Sequence, residues 1–146
     1  MKSASRFTAA SLLGVVLGLL AVGLVSGTPV RHFVQVLPAV LALVLVIRRT
    51  SWACYAALPV FGLWLFIMVA IWLYVLGLAR IVTGRFSPAE IALTLVIGGS
   101  CVCGLCQAFR SQAAGSRVTR ATWIVVFAAL QIGALWLSMR PAFATI

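Results

Sequence analysis

Residues 12–25 read LLGVVLGLLAVGLV, a run built only of leucine, valine, alanine and glycine. No polar face interrupts it at either a two-residue or a 3.6-residue period. Membrane strands show about ten residues of alternating polarity, so a barrel strand is excluded. A helix apolar on every side belongs in lipid or in a fully buried core. In hydrocarbon each backbone N–H and C=O must be satisfied within its own segment. A spanning helix therefore needs roughly 20 apolar residues to cross about 30 Å.

Working outward, five blocks meet that length, at about 7–26, 30–47, 52–79, 88–109 and 121–139. The second is the shortest, and the flanking Arg31, Arg48 and Arg49 must reach outward to water. The third is longer than a bilayer requires, which predicts tilt or an interfacial overhang. The connections are short: Gly27-Thr28-Pro29, Arg48 to Ser51, about nine residues from Arg80 and about eleven from Arg110. Such links predict antiparallel neighbours, and hence a single all-α membrane domain over residues 1–146, an up-and-down bundle of five transmembrane helices. Lys2 and Arg6, an apolar run and then Val25-Ser26-Gly27 also fit a signal segment. Its cleavage would leave four spans; the run's length favours five.

Composition agrees. Of 146 residues, 64% are apolar and 8% charged, against about a quarter charged in soluble domains. Mean hydropathy is +1.22. A water-soluble globule and a disordered chain are both excluded. The net charge of +10 does not indicate nucleic acid, because the arginines are scattered between apolar blocks. Counting Lys and Arg beside the short links puts seven on the N-terminal side (Lys2, Arg6, Arg48, Arg49, Arg110, Arg117, Arg120) and four opposite (Arg31, Arg80, Arg85, Arg140). That bias predicts a cytoplasmic N-terminus and an external C-terminus, and compact loops suit a bacterial inner membrane.

Small residues mark packing faces, because helices in lipid associate by close backbone approach. Gly14 and Gly18 form a GxxxG extended by Ala10; Ala92, Ser100, Gly104 and Ala108 make a row in the fourth span; Ala129 and Gly133 repeat the device in the fifth. Each reads either as packing within the bundle or as self-association. Together they predict a tight bundle without a wide pore. Ser87-Pro88-Ala89-Glu90 reads as a capping box with proline at the first helical position, a structural explanation for the one acidic residue. Trp52, Tyr74 and Trp123 fall near span ends, as interfacial aromatics do.

Two groups could carry chemistry. Cys103-Gly-Leu-Cys106 forms a C-x-x-C whose cysteines share a helix face, with Cys101 turned elsewhere and Cys54 at similar depth. Over these four residues it resembles the motif of the DsbB and vitamin K epoxide reductase group of membrane thiol oxidoreductases. That resemblance implies a thiol relay, a second loop-borne cysteine pair and a quinone site, and the outer links of this chain hold no cysteine. A thiolate Cu(I) site has no histidine nearby to complete it. Small cysteines on a Gly/Ser-rich packing helix need neither explanation.

The second group lies at the outer mouth: Arg31, His32, Gln35, Arg85 and Glu90. His32 and Gln35 share a face, and a His–Glu pair could relay protons or gate a permeant; equally, both can be interfacial residues wetted by headgroups. Gln131, a mid-helix amide, should seek an interhelical hydrogen bond. No nucleotide loop, catalytic triad or zinc-helix motif occurs, and one histidine cannot ligate haem twice, so no catalytic residue, metal or cofactor is expected. The expected function is that of a non-catalytic accessory, scaffolding or assembly subunit of a larger membrane complex. Its partners would be the lipid bilayer and other membrane subunits or a second copy, with no nucleic acid. A small oligomeric transporter or channel is the alternative, and a membrane thiol-redox protein stands third.

Overall fold

A computed structural model describes residues 2–50, 52–110 and 116–140, with side chains from residue 5 onward. Five helices follow one another: α1 Lys2–Val25, α2 Pro29–Ile47, α3 Ala53–Val75, α4 Pro88–Arg110 and α5 Arg117–Ser138. Each is long and apolar enough to cross a membrane. Pro38 and Pro59 lie inside α2 and α3, neither of which is interrupted there.

The helix ends follow from backbone chemistry. α3 stops at Val75, short of the expected residue 79, because Gly77 takes a left-handed φ of 73°. There the amide of Gly77 bonds Tyr74 O at 3.0 Å and that of Leu78 bonds Leu73 O at 2.9 Å, the paired closure that satisfies a helix's last carbonyls. α1 closes the same way, Gly27 at φ 68° letting Thr28 N–H reach Gly23 O at 2.8 Å. α2 repeats the device with Arg49 at φ 56°, a conformation that a residue bearing Cβ adopts only at a cost. α5 begins at Arg117, four residues before the expected start. Ser116 caps it by accepting from Thr119 N–H at 3.1 Å. Residues 111–115 of the expected α4–α5 link lie outside the described residues, as does Pro141 after the fifth span.

Directions alternate, as paired residues show. Ser5 Oγ on α1 donates to Val46 O on α2, Gly14 and Gly18 of α1 meet Ser100 and Ile97 of α4, and Gly98 of α4 meets Trp72 of α3. The order of neighbours departs from a simple meander. α1 lies between α2 and α4; α3 packs on α4, α5 and α2; and α5 packs on α2 and α3. Consecutive α4 and α5 are therefore not close neighbours, because α3 stands between them. α3 is the most buried helix and α5 the least. The core gathers Leu12, Val15, Leu19, Ala39, Val60, Phe61 and Ile97 from the first four helices, with Phe127 the apolar core contribution of α5.

The small-residue rows pack inside the bundle at Gly14 and Gly18 of α1, though Ala10 is exposed, and in part of α4. A Cβ on Gly18 would fall 2.5 Å from Ile97 Cγ1, and one on Gly104 would overlap the Phe61 ring. Gly14, Gly18 and Gly104 are thus the places where α1 and α3 approach α4. The row Ala92, Ser100, Gly104, Ala108 does not address one partner: Ser100 meets α1, Gly104 meets α3 and Ala92 is exposed. Gly133 is different, with no atom within 4 Å of its Cβ position.

Candidate functional site

Gln35 opens the polar network that joins two helices. It is buried on α2, at 4% exposure, and Ser138 at the end of α5 is fully buried. Gln35 Nε2 donates to Ser138 Oγ at 2.9 Å, and Ser138 Oγ donates onward to Leu135 O at 2.6 Å. One helical turn and more along α5, Gln131 Nε2 donates to Gln35 O at 3.2 Å. Gln131 is 1% exposed, and its Oε1 has no partner among the described residues. Mid-helix amides must find such partners where water is absent. This seam holds α5, which contributes little to the apolar core, against α2.

Gln35 and His32 were expected to share a face at the mouth, but the structure separates them. Gln35 turns to α5, whereas the His32 ring packs over Gly23 of α1, whose Cβ position lies 2.7 Å from His32 Cβ. His32 Nδ1 stands 3.0 Å from Thr28 O and 3.2 Å from Thr28 Oγ1. The imidazole is therefore anchored to its own helix start. Glu90 is anchored likewise. Ser87 N–H and Ser87 Oγ–H both donate to Glu90 Oε2, at 2.7 and 2.8 Å, while Glu90 N–H donates to Ser87 Oγ at 3.2 Å. This is the reciprocal capping box, with a carboxylate favoured at the positive end of the helix.

The cysteines divide by face. Cys101 is buried, at 0% exposure, while Cys103 and Cys106 are exposed on the outside of α4; all four cysteines are free thiols. Among the described residues no three histidine, cysteine or carboxylate side chains come together as a metal would need. Cys103 and Cys106 thus lie with exposed Gly99 on an outward stripe of α4.

Two features at the seam between α2 and α5 carried little sequence signal. The Arg31 guanidinium reaches from α2 to the Met139 sulfur beyond α5, and its Nε has no partner among the described residues. Below it, a groove of about 630 Å³ runs between the two helices on the outside of the bundle, with an almost wholly apolar lining that includes Gly133. At the opposite end of α5, Trp123 stacks on Trp52 with ring centroids 3.5 Å apart, and Arg120 lies over Tyr55. Compared with protein-family models, curated proteins and solved structures, the chain matches none.

Proposed function

We propose that the five helices cross a bilayer and that the chain serves as a non-catalytic accessory, scaffolding or assembly subunit of a larger membrane complex, acting by lateral contact. The observation that carries this reading is the outward stripe of α4. Gly98 and Gly104 are used inside the bundle, yet Gly99, Cys103 and Cys106 stay exposed, and nothing lies within 4 Å of a Cβ on Gly99. Small residues on an exposed helix face let another helix backbone approach closely in lipid. Buried polar side chains are used for internal bonding, as in Gln35–Ser138 and Trp72–Thr94. The seven-to-four bias of Lys and Arg supports a bacterial inner membrane with the N-terminus in the cytoplasm.

Purification in a mild detergent followed by mass spectrometry tests this reading. Other membrane chains should travel with the wild type in fixed proportion and be depleted by Gly99→Leu. Isolation as a lone monomer refutes it. The transporter alternative draws on His32 and Glu90 sharing one end of the bundle. It requires ion or solute flux in liposomes that Glu90→Gln abolishes, and equal flux in the two proteins removes it.

A further inference from the structure

The groove between α2 and α5 ends beneath a pair of arginines, and we infer that it is a binding site for one anionic phospholipid, with an acyl chain in the groove and the phosphate at Arg31 and Arg140. The inference rests on the bilayer placement proposed above. Its apolar part is lined by Val34, Leu37 and Leu41 of α2 and by Leu130, Gly133 and Leu137 of α5. Lining positions on α5 extend from Val126 to Leu137, about 16 Å of helix at 1.5 Å per residue. Half of a bilayer's hydrocarbon is about 15 Å, so the groove matches the depth of one leaflet.

Charge complements that length. Arg31 lies one turn before Val34 on α2, and Arg140 lies three residues after Leu137, so both arginines stand where the groove meets the membrane surface. Arg31 is half-buried, its guanidinium contact is a thioether sulfur, a weak acceptor, and its Nε is without a partner among the described residues. Arg140 lies over the Trp136 ring, with Cζ 3.8 Å from the centroid. That leaves its N–H edges available to a bidentate acceptor. A phosphodiester supplies the oxygen acceptor that neither guanidinium group has among the described residues, and the chain's one acidic side chain, Glu90, is engaged at the start of α4. A second helix docked in the groove would fill the apolar part, but it would not by itself answer the two cations.

Gly133 allows a clean test, because a side chain there enters open groove rather than a neighbouring helix. Native mass spectrometry of the detergent-purified protein, titrated with phosphatidylglycerol or phosphatidylcholine, reads the lipid retained per chain. Wild type should keep one phosphatidylglycerol in preference to phosphatidylcholine. Arg31→Gln should lower that preference about tenfold, the loss expected for a charge-assisted bond to phosphate. Gly133→Leu should lower retention of both lipids without lowering the melting temperature. Equal retention of the two lipids by wild type overturns the proposal. So does phosphatidylglycerol retention unchanged in both variants, including the case where Gly133→Leu instead splits a dimer or releases a partner chain. Alkaline carbonate extraction separates the premises: release from vesicles refutes the bilayer placement, whereas retention in the membrane without phosphatidylglycerol preference refutes the lipid site alone.

Discussion

Adjacent glycines on α4 should respond to alanine in opposite directions. A Cβ on Gly98 would lie 2.5 Å from Trp72 Cη2 and 2.8 Å from Cζ2, far inside the roughly 3.5–4.0 Å at which carbon atoms rest. The indole is not free to swing, because its Nε1–H donates to Thr94 Oγ1 at 2.9 Å and that hydroxyl donates to Ile91 O at 2.7 Å. Relief requires either that α3 and α4 part or that the indole leave Thr94. Overpacking costs about 1–3 kcal/mol and a lost interhelical bond about 0.6 kcal/mol, against up to about 1 kcal/mol gained from alanine's helix propensity. Gly98→Ala should therefore destabilise by about 0.5–2.5 kcal/mol. At Gly99 nothing stands within 4 Å, so only the propensity term remains, and Gly99→Ala should be neutral or stabilising by up to about 1 kcal/mol. Equilibrium unfolding in mixed micelles at rising dodecyl sulfate fraction, followed by far-ultraviolet circular dichroism, measures both. A Trp72→Phe background removes the two ring atoms that collide and should recover most of the Gly98→Ala cost. Equal destabilisation by the two alanines, or a Gly98→Ala cost unchanged by Trp72→Phe, refutes the reasoning.

The same unfolding assay bears on the α2–α5 seam. Ser138→Ala strands Gln35 Nε2 in a buried position and should cost about 0.6–2 kcal/mol. Gln131→Leu removes one donated bond together with a carbonyl oxygen that has no partner among the described residues and should stay within about 0.5 kcal/mol of wild type; a larger loss for Gln131→Leu than for Ser138→Ala contradicts that order. Arg49→Gly relieves a left-handed φ of 56° and should stabilise by about 1 kcal/mol, read as a shift of the unfolding midpoint to higher dodecyl sulfate. With a permeant maleimide in native micelles, peptide mass mapping should find Cys103 and Cys106 modified well before Cys101, which should react only after unfolding. Early modification of Cys101 would show that the α4 face assigned to the core is open.

What could be read along the chain was local. The capping box of Ser87 and Glu90 needs only residues three apart, and it stands in the structure as the spacing indicates. Gly77 carried the signal for the end of α3, since a glycine after a long apolar run favours a left-handed closure; apolar length alone placed the stop four residues too late. The early start of α5 had a comparable signal in Ser116. Gln131 could be expected to seek another helix, but its acceptor, the backbone oxygen of Gln35, could not be named. His32 and Gln35 illustrate the limit most directly. Three residues apart on a helix they share a broad face, yet that face is divided between two neighbours, α1 beneath His32 and α5 beneath Gln35.

The amino-acid chain alone indicated five rods, roughly where each runs and that they are helices, because each is written in the run of residues within one segment and in that segment's own hydrogen bonds, while the exact ends of α3 and α5 waited on the structure. Which rods touch was decided only by the assembled bundle. Helices apolar on nearly every side carry no stripe that points to a partner, and shape must then choose. Gly14 and Gly18 close on α4, Gly104 receives Phe61, α3 separates α4 from α5, and the seam left between α2 and α5 becomes an open groove beneath Arg31. None of those contacts depends on distance along the chain, and for that reason none could be counted from it.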